Sequence, residues 1–318
     1  MPESSTSQPS TSRLLPVLQL IRLPAVFTAL ADILLGRLLV PFPTDASNTL
    51  PVLILLLIAS AGLYLSGMVF NDVFDRHLDA QQRPGRPLPS GRVSLRVAVC
   101  LGVLLMAGGL AAAAVVSILA KSPASLVVAL ALAGCVLAYD GLLKTTPLGP
   151  LAMGACRSLN LLLGATAAGS FDALAQGPTL HVALGMGLYI TGVTWFARNE
   201  SGTSDRRQLT AAVMLINVGL ATLVTFAGLA TSDLKQNAST SVLLLMALII
   251  VSINRRLIAA IRDPRPERVQ SGVGILLLSL VMNDATLALA VKENTIAALL
   301  IASLLIPAIL LKRWIPVT

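Results

Sequence analysis

The stretch Asn71-Asp72-Val73-Phe74-Asp75-Arg76-His77-Leu78-Asp79 places three carboxylates at the end of an apolar run. On a helix turning about 100° per residue, Asp72, Asp75 and Asp79 stand at i, i+3 and i+7 and point within roughly 60° of one another. Hard divalent cations such as Mg²⁺ take carboxylate oxygens and leave their other positions to water or phosphate. The spacing therefore predicts a platform for a metal-bound diphosphate. A solvated helix end is the plainer reading. Against it, the acids interrupt a strongly apolar segment and are followed by Arg83, Arg86 and Arg92. Residues 81–92 are too rich in Pro and Gly to be helical, so they predict an ordered cap. Its arginine forks suit phosphate oxygens, and such a cap could keep water from a reactive intermediate.

These residues must be positioned by membrane helices. The chain has 318 residues, 55% hydrophobic and 12% charged, and its mean hydropathy is +0.83. That composition belongs to an integral membrane protein. Apolar runs long enough to cross a bilayer as helices begin near residues 15, 51, 95, 123, 150, 180, 208, 239, 270 and 294. The runs are continuous, with none of the alternation of a transmembrane barrel. The expected fold class is all-α, a polytopic bundle of nine or ten transmembrane helices. Residues 1–12 read as a disordered tail, and residues 13–318 as a single transmembrane domain. Cys100, Cys135 and Cys156 lie in or beside apolar runs without metal-ligand spacing and read as small buried hydrophobes.

Charge sorts by loop. Of the 23 Lys and Arg, only Arg37, Lys121, Lys235 and Lys292 fall on one side when every run spans. The positive-inside rule then assigns both termini and the acidic motif to the cytoplasmic side of a cell membrane, expected to be a bacterial inner membrane. The net charge of +8 suits anionic headgroups and an anionic substrate, and it calls for no nucleic-acid partner.

Leu63-Tyr64-Leu65-Ser66-Gly67 recurs as Leu188-Tyr189-Ile190-Thr191-Gly192. The same offset carries Asp75 onto Glu200 and Asp79 onto Ser204, beside Asp205. Both copies lead into acids on one expected side of the membrane, so two carboxylate clusters could share metal ions around one diphosphate. The chain would then be a pseudo-duplicated bundle.

Other polar residues punctuate the runs. Lys144, after Tyr139 and Asp140, reads either as a point charge for a diphosphate or as a snorkelling anchor. Arg157 lies inside the fifth run, where an unpaired charge is costly, and is assigned to the site; Asn160 suits either the site or a helix-to-helix hydrogen bond. Asp284, beside Asn283 in the ninth run, either lines the same cavity or pairs with a basic neighbour. Trp195-Phe196 could flank the cavity, where a π face would stabilise an allylic cation, or anchor the interface.

Asn71 through Asp79, followed by Arg-Pro-x-Arg-Pro-Leu-Pro-Ser-Gly from Arg83 to Gly91, resembles the first signature of the UbiA superfamily of intramembrane prenyltransferases. Tyr139-Asp140 with Lys144 is similar to that family's tyrosine-to-lysine segment, and Gly149 through Arg157 to Gly164 to its next helix. Two features depart from the pattern. The second motif of the family usually reads Asp-x-x-x-Asp, whereas Glu200 and Asp205 stand five apart here, and ten candidate spans replace the usual nine. These departures suggest a divergent branch, resembling the group encoded in bacterial ebo clusters. The resemblance implies Mg²⁺-dependent transfer of a prenyl group from a polyprenyl diphosphate to a lipophilic, often aromatic, acceptor. It implies that Asp72, Asp75, Glu200 and Asp205 hold metal with Asn71 and Asp79 assisting, and that Arg83, Arg86, Lys144 and Arg157 contact phosphate.

Two other classes compete. A phosphatidyltransferase also joins membrane helices to acids and Mg²⁺, but the continuation that its signature requires after Asp140-Gly141 is missing. A secondary transporter would equally show repeats and intramembrane charge, yet these acids cluster at one face rather than at the midplane.

Overall fold

A computed structural model describes residues 14–41, 49–200, 202, 204–231, 236–291 and 294–315; the tail expected over 1–12 lies outside them. Among the described residues the structure is helical, without strands. Its helices are α1 (Leu14–Leu20), α2 (Val26–Leu38), α3 (Thr49–Phe74), α4 (Arg76–Gln82), α5 (Leu95–Leu119), α6 (Ala124–Ala138) and α7 (Gly149–Ala165). They continue as α8 (Phe171–Leu174), α9 (Gly177–Ala197), α10 (Arg206–Ala230), α11 (Gln236–Arg262), α12 (Pro266–Ala290), α13 (Thr295–Ser303) and α14 (Leu305–Trp314). Nine helical segments among the described residues are long and apolar enough to cross a membrane, with α13 and α14 together forming one of them. The bent pair Leu14–Leu20 and Leu23–Leu38, 44° apart, passes the same test when its two helices are taken together, as a broken span or a re-entrant loop.

That bend has a local cause. Pro24 removes a backbone donor and disfavours helix before it. The chain passes the break through Arg22, whose φ of 47° and ψ of 48° lie in the left-handed region. A non-glycine residue held there stores on the order of 1–3 kcal/mol, which surrounding contacts must offset.

Lipid supplies no hydrophobic drive between helices, so close packing falls to small residues. A Cβ on Gly62 of α3 would lie 2.7 Å from the Leu105 carbonyl oxygen of α5, and one on Gly219 of α10 would lie 2.5 Å from the Tyr189 backbone nitrogen of α9. Gly36 of α2 and Gly164 of α7 seal a third crossing, each set against the other helix's backbone. One core joins buried residues of α2 and α7 to α9–α13, among them Leu35, Leu161 and Met186. Another joins α2 and α7 to α3, α5 and α6 through Ile33, Leu56 and Leu163. Helices α2 and α7 are thus the seam between two halves.

The repeated segments occupy matching places, near the ends of α3 and α9. Ser66 donates to the Leu63 carbonyl (2.8 Å), and Thr191 to the Gly187 carbonyl (2.8 Å). Their tyrosines diverge: Tyr189 is fully buried and donates to the Leu276 carbonyl (2.9 Å), whereas Tyr64 is half-buried beside Thr28.

Candidate active site

Helix α3 ends at Phe74 and α4 starts at Arg76, so Asp75 stands at the joint. The i to i−4 backbone bonds nevertheless continue across it, from Asp75 N to Asn71 O (3.0 Å) and from Asp79 N to Asp75 O (2.8 Å). The expected spacing of the three acids therefore survives the break. Asp72 and Asp79 are both buried and face one guanidinium: Arg86 Nη1 lies 3.5 Å from Asp72 Oδ1 and 2.6 Å from Asp79 Oδ2. Arg22 reaches Asp72 from the bend at 2.8 Å, a contact that helps hold its left-handed backbone. Lys144 donates to Asp75 and to Asn71 Oδ1 at 2.6 Å.

The loop that carries Arg83 and Arg86 is fastened at both ends. Arg92 donates to the Gly85 carbonyl at 2.6 Å and to Gln19 of α1 at 3.0 Å. Gly91, at a φ of +73°, supplies the left-handed turn that returns the chain to α5. Lys144 follows a π-helical turn over Tyr139–Leu143, closed by the Lys144 N to Tyr139 O bond of 2.9 Å. Such turns re-aim the residues that follow them. This one also buries Asp140 within the fields of Lys144, Asp75, Arg22 and Asp72.

The second cluster arrives at the same end. Arg198 donates to the Thr145 carbonyl beside Lys144 at 2.8 Å, and Ser204 N to the Pro264 carbonyl at 3.3 Å. Glu200 is half-buried. Burial pushes its carboxyl above the usual range, against the opposing pull of Arg83, Arg22 and Arg86, all from the first cluster's side. Asp205 is placed otherwise. It is exposed and caps α10 by accepting from Arg207 N at 3.0 Å, because a short acidic side chain at a helix start satisfies an orphan amide.

Arg157 is also placed differently from the expected phosphate contact. It turns into the seam, where Nη2 lies 2.7 Å from Asp32 Oδ1 and 3.9 Å from Asp284 Oδ2, and it donates to the Thr28 carbonyl at 2.9 Å. Asn160 donates to Asp32 at 2.9 Å and accepts from Ser60 at 2.7 Å. Along α3, Ser60 is twelve residues before Asp72, about 18 Å of helix, so this network lies deep below the acidic end. Sequence reasoning passed over Arg22 and Asp32 as site or network residues. Their signals were a basic residue just ahead of Pro24 and an acid inside an apolar run.

The oxygen donors of Asn71, Asp72, Asp75, Asp79 and Glu200 suit Mg²⁺ in kind. The first cluster's carboxylates are each held by Arg22, Arg86 or Lys144, and among the described residues no three His, Cys, Asp or Glu gather as a metal-binding set. The chemistry of the donors fits the ion, and metal binding there requires these cations to give way.

A model of the UbiA prenyltransferase family matches residues 25–250. The chain belongs to that family. Digeranylgeranylglyceryl phosphate synthases are similar over part of it: that of Methanothrix thermoacetophila is 35% identical over 115 residues, 35% of this chain and 41% of that protein. That of Methanosarcina barkeri is 36% identical over 126 residues, 39% of each. The matches thus span about two-fifths of the length of these curated relatives. Among solved structures, a UbiA homologue from Aeropyrum pernix K1 superposes with a TM-score of 0.63 at 21% identity, covering 82% of this chain and 96% of that one. A UbiA homologue from Archaeoglobus fulgidus bound to GPP and Mg²⁺ gives a TM-score of 0.56 at 16% identity, covering 86% and 99%. The fold is shared, and this UbiA family member is an integral membrane protein.

Proposed function

We propose that the protein transfers a prenyl group from a polyprenyl diphosphate to an acceptor within the membrane, in a Mg²⁺-dependent reaction. The observation that carries this reading is the convergence, at one end of the bundle, of Asn71, Asp72, Asp75, Asp79 and Glu200 with Arg22, Arg83, Arg86 and Lys144. Family membership and the fold shared with a homologue bound to GPP and Mg²⁺ support it.

In this reading Asp72, Asp75 and Glu200 would hold Mg²⁺, with Asn71 and Asp79 assisting, and the ion would supply positive charge to the diphosphate leaving group. Arg22, Arg83, Arg86 and Lys144 donate to the phosphate oxygens, and their charge stabilises the diphosphate as the allylic carbon–oxygen bond breaks. The cap expected over residues 81–92, whose first two residues are instead the end of α4, keeps water from the allylic cation until the acceptor's nucleophile attacks C1 and gives up its proton. The two acidic loops face the cytoplasm of a bacterial cell, and residues 13–318 act as one catalytic unit.

The acceptor class has two candidates. The resemblance implies an aromatic one, whereas the relatives are named for a glyceryl phosphate product. The deciding assay incubates purified protein with geranyl, farnesyl and geranylgeranyl diphosphates and Mg²⁺, with and without aromatic and glyceryl phosphate acceptors. Metal-dependent diphosphate release coupled to a prenylated product is expected. Release with none of these donors in any metal would overturn the proposal.

A further inference from the structure

A cavity of about 260 Å³ opens between α11, α12 and α14. Its lining is apolar except for Ser252 and Ser279, and Ser279 turns its hydroxyl back onto the Ile275 carbonyl at 2.7 Å. Helices α11 and α12 run antiparallel in a fixed register. Arg256 Nη1 donates to Ser271 Oγ at 3.1 Å. One turn further along both helices pairs Ser252 with Ile275, and the next pairs Leu248 with Ser279, all four lining the cavity. The apolar groove is therefore continuous with the Arg256–Ser271 contact.

Cations crown that end. Arg255 and Arg256 are exposed on α11, six or seven residues short of its end, about 10 Å below it. Lys312 and Arg313 are exposed on α14, one turn beyond Ile309 of the cavity wall. Two acids are nearby: Asp263 is engaged by Arg265 at 2.5 Å and Arg268 at 3.8 Å, and Glu267 in the first turn of α12 makes no ion pair with Arg255 or Arg256 within 4 Å among the described residues. Guanidinium groups at that depth on a lipid-facing helix need an anion, and at the edge of a bilayer the anion available is a headgroup phosphate.

We propose that this groove binds one anionic glycerophospholipid, with an acyl chain in the cavity and its phosphate on Arg255 and Arg256. The arginines lie at the same end of the bundle as the acidic cluster, and Gln270 beside Ser271 donates to the Glu200 carbonyl at 3.3 Å; the groove shares no residue with that cluster and stands without the proposed reaction. The test is native mass spectrometry of the full-length protein in detergent, titrated with dioleoyl phosphatidylglycerol or dioleoyl phosphatidylcholine. One phosphatidylglycerol should be retained about 10- to 30-fold more tightly than phosphatidylcholine, whose choline cancels the charge of the same phosphate, as the attraction of two arginines to a net-anionic headgroup implies. The double variant Arg255→Gln/Arg256→Gln should bring the two lipids level. Ser252→Phe, which fills the cavity and keeps both arginines, should weaken both. Equal retention of the two lipids by the native protein would overturn the proposal, as would a preference that survives both variants. Displacement of phosphatidylglycerol by equimolar farnesyl diphosphate would also overturn it, assigning the groove to a substrate. So would a dimeric mass that excludes lipid, which would assign it to a second copy.

Discussion

Replacing Arg157 by Met separates a phosphate contact from a structural cation. The network holds one guanidinium against two fully buried carboxyl groups, Asp32 at 2.7 Å and Asp284 at 3.9 Å. Removing the cation strands both carboxyls between α2, α7 and α12 and leaves the Thr28 carbonyl without its 2.9 Å donor. Breaking a buried pair in this way costs about 3–5 kcal/mol. The partners are not equivalent, because Asp32 has the shorter ion pair and also accepts from Asn160 at 2.9 Å. Asp284→Asn alone leaves one carboxylate per guanidinium, so its cost should stay within about 1 kcal/mol, near that of one modest hydrogen bond. Adding Asp32→Asn to Arg157→Met should restore part of the loss, since it removes one stranded charge. Unfolding in a graded series of SDS–detergent mixtures measures each step, and the KM for the prenyl diphosphate of the surviving folded protein is the companion readout. An Arg157→Met protein of native stability with a raised KM would refute the placement and return Arg157 to the phosphate.

The acidic end gives three further expectations. Asp75→Asn should leave the protein folded and cut turnover on the order of 10²-fold, because it removes the charge of a proposed metal ligand and the carboxylate that Lys144 engages; near-native turnover across a Mg²⁺ series would contradict this. Glu200→Gln should raise the Mg²⁺ requirement, with Glu200→Asp recovering part of the activity; burial lifts the Glu200 carboxyl above its ordinary 4.5, so in the native enzyme metal affinity should fall as pH drops through that raised value. A Mg²⁺ dependence that is the same for both variants and at all pH values would remove Glu200 from the site. Single cysteines at Ser90 and Gly202, both exposed, should be labelled from the same side of sealed vesicles, and opposite sidedness would rule out a shared site.

The sequence alone was enough for the bundle, because a bilayer admits only long apolar helices or closed barrels and continuous apolar runs select the first. It was also enough for the first cluster. Asp72, Asp75 and Asp79 lie within one helical stretch whose backbone bonds continue across the break at Asp75, with Asp72 and Asp79 sharing Arg86 and Asp75 taking Lys144. Single residues aimed from other elements were beyond it. Arg22 reaches Asp72 because a proline-driven bend turns α1 against α2, and Asp32 meets Arg157 because glycines let α2 and α7 close. Neither contact has a signature in spacing, since each joins positions far apart in the chain. Likewise Glu200 and Asp205 look alike as acids in one loop. Only the tertiary structure turns Glu200 toward the arginines and leaves Asp205 capping α10, because the start of that helix takes up the nearer carboxylate.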